Sequence, residues 1–187
     1  MSALQSTDRD AVLALLRTRQ YRAFTAEPPS AEQLDALVEV ARWSGSSRNS
    51  QPWRFIVIRA EATIRRIAEA GQPQTRALAS ASAAIAIAMP AEEGRQVGHA
   101  FDEGRVAERL LIGASMLGIG AGISWVRTEV RPLVGELLGL PEDRFVRTLV
   151  ALGRPSEAAR APKSAPGEAR RARSETVFFD RWPPDQP

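Results

Sequence analysis

The stretch FDEGRVAERLLIGASMLGIGAGISWV, Phe101 to Val126, decides how the chain folds. Val106, Leu110, Leu111, Ala114 and Leu117 recur at helical intervals, which predicts a helix from Phe101 that begins to terminate at Gly118. The residues after it, AGISWV, read as a strand. This helix is the candidate centre of the fold. RFIVI before it reads as a buried strand, SAAIAIAM as a second whose small alternating residues suit close packing, and FVRTLVALG as a last one. Residues 7–19 carry Val12, Leu13, Leu15 and Leu16 on a helical spacing. SAEQLDALVEVARW opens with a capping box, Ser30 with Gln33. EATIRRIAEAG is a short helix that stops at Gly71, and RPLVGELLGL is a helix with Pro132 near its start.

A chain of 187 residues with 44% hydrophobic and 25% charged residues has the balance of one globular domain. No apolar run approaches the ~20 residues of a membrane span. The N-terminus has acidic residues and helical spacing where a secretory signal would have a basic start and an apolar block, so a cytoplasmic location is expected. With no cysteine and one histidine, His99, the chain offers no thiolate nucleophile, Cys-based zinc site or His cluster. Chemistry here must lean on a cofactor or on carboxylates. The net charge of +3 favours an anionic ligand.

After Gly153 the composition turns to Ala, Arg, Pro and Ser without apolar periodicity, which reads as an extended arm. The arm ends in ETVFFDRW, whose Val177, Phe178, Phe179 and Trp182 are too apolar to leave in water at ~25 cal/mol per Å². A receiving surface is needed, and the arm is long enough for it to lie on another copy of the chain. Nucleic-acid binding is not expected, since the arm lacks the interleaved aromatics of single-strand binders.

Arginines gather at Arg17, Arg19 and Arg22, at Arg42 and Arg48, and at Arg170, Arg171 and Arg173. Each group alone fits a solvated face. Brought together, guanidinium forks from distant segments bind a phosphate monoester bidentately. The stretch SGSSRNSQPWRF, Ser44 to Phe55, fits either a plain helix-to-strand turn or a set of donors for the polar edge of a planar ligand. Trp125 fits a stacking surface or a core position at a strand end. Asp102 fits a helix N-cap better than a ligand contact, and His99 is expected at the surface.

Taken together, four motifs in order resemble the FMN-dependent nitroreductase family over nearly the whole chain. RTRQYRAF is similar to the family's opening motif, which implies Arg19 on the FMN phosphate, Gln20 at the usual Ser, and Arg22 near the flavin N1/O2 side. GSSRNSQPWRF resembles the loop that reaches the flavin from the second subunit, with Ser46 and Asn49 at the family's Ser and Asn positions; Ser47 between them is a further candidate donor. The central helix and strand resemble the dimer-core helix and the strand end that faces flavin N5 and O4, here Ile123, Ser124 and Trp125. RRARSETVFFDRW resembles the terminal motif, with Arg170 and Arg171 as phosphate ligands.

The resemblance implies an α+β, three-layer fold with a mostly antiparallel sheet flanked by helices. Residues 1–153 would form the FMN-binding core and 154–187 an arm exchanged between subunits of a homodimer, with FMN at the interface. It implies an oxidoreductase that takes hydride from NADH or NADPH and passes it to a nitroaromatic, quinone or similar small planar acceptor. The alternative is a flavin carrier or sensor without turnover. The chain is short between Met89 and Asp102, where longer family members insert helices over the substrate, so an open pocket is expected.

Overall fold

The computed structural model describes residues 10, 12, 13, 15–165 and 168–183. Strands β1 (Arg54–Ile58), β2 (Ala83–Pro90), β3 (Gly120–Trp125) and β4 (Arg144–Gly153) form one sheet in the order β1-β2-β4-β3, every neighbouring pair antiparallel. Helices α1 (Ala31–Arg42) and α3 (Gln96–Met116) cover one face; α2 (Glu61–Ala70) and α4 (Arg131–Leu138) cover the other. The expected three-layer α+β architecture is thus the observed one.

β2 carries the layering in its own sequence. Ala84, Ala86 and Ala88 point to the cluster of Ile64, Ile67 and Val134, whereas Ile85, Ile87 and Met89 point to that of Leu37, Val106 and Leu110. Alternation along a strand sends neighbours to opposite faces, and a strand covered on both sides is apolar on both. The register shifts once: Ile87 pairs with Thr148 and Ala88 with Val146, so β2 skips Arg147. Such a bulge re-aims the extra side chain.

The capping box of α1 forms in full, Ser30 Oγ accepting from Gln33 N at 3.1 Å and Gln33 Oε1 accepting from Ser30 N at 2.9 Å. α3 begins at Gln96, earlier than the expected Phe101. Asp102 is therefore inside the helix and not its N-cap, and His99 is buried, at 4% exposure, and not at the surface. The first turns of α3 bury polar side chains, which leave no hydrophobic period in the sequence.

The helix expected over residues 7–19 lies partly outside the described residues. Asp10, Val12 and Leu13 are helical and Leu15–Arg17 closes as a 3-10 turn, which ends two residues short of Arg19. Val12, Leu15 and Leu16 are exposed and cover no core of this chain. The chain then runs beside β3: Tyr21 N donates to Ala121 O at 2.8 Å, Thr25 N to Arg154 O at 2.8 Å, and Phe24 bridges Pro155. Beyond β4 the described residues of the arm make single turns at Glu157–Arg160 and Arg173–Thr176 and are otherwise irregular and largely exposed. Among the described residues no helix is long and apolar enough to cross a membrane.

Candidate functional site

A groove of about 780 Å³ opens between residues 16–22, α3 and the arm. Five cationic side chains line it, Arg17, Arg19, Arg22, Lys163 and Arg170, against one carboxylate, Glu108. Such an excess in one concavity attracts an anion.

Local structure explains how opposite ends of the chain meet there. A Cβ on Gly122 would collide with the Tyr21 carbonyl oxygen, so only glycine lets residues 20–22 lie this close to β3. Gln20 Oε1 then accepts from Ile123 N at 3.2 Å and ties the groove wall to the strand. Arg19 fixes the opposite wall, donating through Nη1 to Arg160 O at 3.1 Å and through Nη2 to Ala161 O at 3.0 Å. Its guanidinium also lies 5.4 Å from the Tyr21 ring centroid.

Of the residues singled out from the sequence, Arg19, Gln20, Arg22 and Arg170 line this groove, and Arg171, exposed, does not. Ile123 reaches it through Gln20. By the alternation of a strand, the Trp125 amide points to the same open edge as that of Ile123. The Ser124 hydroxyl is buried without a hydrogen bond among the described residues. By the same alternation it lies on the α2–α4 side of the sheet, away from α3.

Ser46, Ser47 and Asn49 lie elsewhere along α3. Ser47 N donates to both Asp102 carboxylate oxygens, at 3.2 and 3.1 Å, and Ser46 Oγ accepts from Gln51 N at 2.9 Å. The loop thus sits on the Asp102–Arg105 turn, whereas the groove takes Glu108 and Leu111 farther along the helix. Arg48, Asn49 and Gln51 all have φ near +50°, values of 52, 53 and 47°. Three left-handed non-glycine residues in four cost energy that a plain turn avoids.

Beside the groove, Trp125 is 47% exposed and its ring lies 5.5 Å from the Arg147 guanidinium carbon. Arg147 binds the buried carboxylate of Glu103, donating from Nε to Oε2 at 2.9 Å and from Nη2 to the same oxygen. Arg131 sits 5.0 Å from the Phe145 ring, where burial first and the Arg147 charge second lower its pKa. Glu103, Arg147, Glu108 and Lys163 escape sequence reasoning. Lys163 alone leaves a signal, being the sole lysine among 25 Lys and Arg.

Residues 15–84 match the sequence profile of the nitroreductase family. A protein of Archaeoglobus fulgidus, provisionally named an NADH dehydrogenase/NAD(P)H nitroreductase, is 31% identical over 147 residues, spanning 74% of this chain and 82% of its own. An NADH dehydrogenase of Thermus thermophilus is 28% identical over 170 residues, 86% of this chain and 82% of its own. Among solved structures, an FMN-dependent nitroreductase of Clostridium difficile superposes with a TM-score of 0.76 at 20% identity, over 91% of this chain and 99% of that one.

Proposed function

The chain belongs to the nitroreductase family, and from that membership we propose that it is an FMN-dependent oxidoreductase passing hydride from NADH or NADPH to a small planar acceptor such as a nitroaromatic or quinone. The observation that carries this proposal is the groove, where Arg19, Arg22 and Arg170 converge with Lys163, its Gln20 wall bonded to the edge of β3 at Ile123. Its donor set fits a ligand with a phosphate at one end and a flat polar ring system at the other. Bound FMN would supply the redox chemistry, accepting and releasing hydride at N5.

Arg19 and Arg170 serve as bidentate ligands of the terminal phosphate, with Arg171 recruited from the arm. Arg22 offsets negative charge at the pyrimidine edge, a preorganised electrostatic role. Gln20 spends its carbonyl on Ile123 N, which leaves its amide for the ligand and the Trp125 N–H as the next donor on the edge. Ser124 contributes backbone only.

The proposed assembly is a cytoplasmic homodimer in which Ser46, Ser47 and Asn49 close the partner's groove and the arm of residues 154–187 completes its own domain and packs on the partner subunit. Two exposed apolar surfaces support it. Phe101, 71% exposed, Val97 and Met116 are exposed along α3, and Phe179 is 76% exposed near the end of the arm. The link from β2 to α3 is five residues, 91–95, too short to hold a helix over an acceptor.

The test is a visible spectrum of the purified protein followed by steady-state NADH and NADPH oxidation with a panel of nitroaromatics and quinones. A yellow protein that turns over supports the enzyme. A yellow protein reduced once without turnover supports the carrier, and a protein that takes up no flavin overturns both.

A further inference from the structure

A second cationic cavity, of about 270 Å³, lies behind the Ser46–Gln51 loop, at the opposite end of β2 from its pairing with Leu152. Arg54, Arg95, Arg144 and His99 line it together with one carboxylate, Glu92. Glu92 is already engaged, 3.4 Å from Arg95 Nη1 and 3.8 Å from His99 Nε2. Arg54 and Arg144 have no carboxylate partner among the described residues. Each spends only its Nη1: Arg54 on Trp53 O at 2.7 Å and Gln51 O at 3.3 Å, Arg144 on Pro52 O at 3.1 Å. Their Nε and Nη2 groups remain as donors in fixed orientation, since the carbonyls of residues 51–53 hold both guanidiniums. His99, buried, makes no hydrogen bond through Nδ1.

We propose that this cavity is a second oxyanion site, taking a phosphate group, distinct from the Arg19 groove and coupled to the loop before it. Three guanidiniums against one carboxylate leave a charge excess that no described side chain offsets, and a tetrahedral oxyanion presents enough oxygens to meet several forks at once. Coupling follows from shared atoms. The carbonyls that hold Arg54 and Arg144 belong to residues 51–53, and Gln51, itself left-handed, donates its amide to Ser46. An anion drawing on these guanidiniums fixes the carbonyls, and through Gln51 it fixes the strained turn.

The probe is inorganic phosphate, titrated at constant pH and with chloride holding ionic strength, into the full chain carrying Arg19→Gln, Arg22→Gln and Arg170→Gln together to disable the first groove. Calorimetry should register one phosphate per chain, and amide exchange at Ser47 and Gln51 should slow as the site fills. Arg95→Gln, an exposed position that holds no backbone carbonyl, should weaken phosphate binding about tenfold or more, and Arg144→Gln should do so too. Phosphate binding that neither substitution changes, or no binding at all, overturns the site. Arg95→Gln on its own should leave FMN affinity at its native value, so failure of this site and failure of the flavin proposal are read separately.

Discussion

Arg147 meets Glu103 from the one position of β4 that β2 skips. The bulge turns its side chain toward α3, where Nε donates to Glu103 Oε2 at 2.9 Å, while its guanidinium carbon stays 5.5 Å from the Trp125 ring. An in-register residue there would point along the normal alternation of the strand. The buried carboxylate, the bulge and the exposed indole thus form one unit at the end of β3.

Because Glu103 is 2% exposed, removing its cation leaves a carboxylate with no route to water. Arg147→Met should cost about 3–5 kcal/mol of stability. Glu103→Leu should cost less, since Arg147 lies nearer the surface and keeps its place on Trp125. The double substitution should recover most of the loss. Urea midpoints of the three variants check this, and equal losses in both single variants contradict the asymmetry.

Arg19 binds two carbonyls of the arm and lines the cationic groove. Arg19→Ala should weaken FMN binding roughly tenfold to a hundredfold, the worth of one charge-assisted contact at ~1.5–3 kcal/mol. Riboflavin, which has no phosphate, should bind native and variant chains alike. Calorimetry with both ligands is the measurement; an unchanged FMN affinity removes Arg19 from the phosphate site.

Gly122 is needed for the approach of Tyr21 to β3. Gly122→Ala should push residues 20–22 outward, break the Gln20–Ile123 and Tyr21–Ala121 bonds and cost on the order of 1–3 kcal/mol. Flavin absorbance should fall with stability. If the variant holds FMN as the native chain does, the groove wall does not depend on this contact.

Deleting residues 175–187 removes the Phe178–Trp182 pair, whose rings meet edge-on at 4.7 Å. Buried aromatics contribute ~1.5–3 kcal/mol apiece, so if the arm docks on a second subunit the truncated chain should lose stability, dimer and flavin together. Sedimentation and absorbance of the truncated chain decide it. A stable yellow dimer shows that the tail is no clasp.

What was legible in the sequence was what repeats or caps. The alternation in SAAIAIAM, the Ser30–Gln33 box and the Pro132 start of α4 are local rules obeyed locally. The start of α3 was not legible, because His99, Asp102 and Glu103 are buried there by specific partners and interrupt the hydrophobic period. Nor was the bulge at Arg147, which exists only in the pairing of β4 with a strand far back in the chain. Arg19 and Arg170 stand in recognisable motifs, but their convergence on Lys163 depends on where the arm folds back.

The segment from Gln20 to Thr25 has a second consequence, for solubility. β3 is an edge of the sheet, and a bare edge strand is a template on which another chain can pair. Tyr21 and Gln20 occupy its outward groups at Ala121 and Ile123, and Phe24 and Thr25 cap the neighbouring end at Pro155 and Arg154. The same backbone that lines the cationic groove therefore blocks sheet growth. A chain in which that segment lifts away, as expected for Gly122→Ala, should aggregate edge to edge. Light scattering of the ligand-free variant should rise with time and fall when FMN holds the segment down.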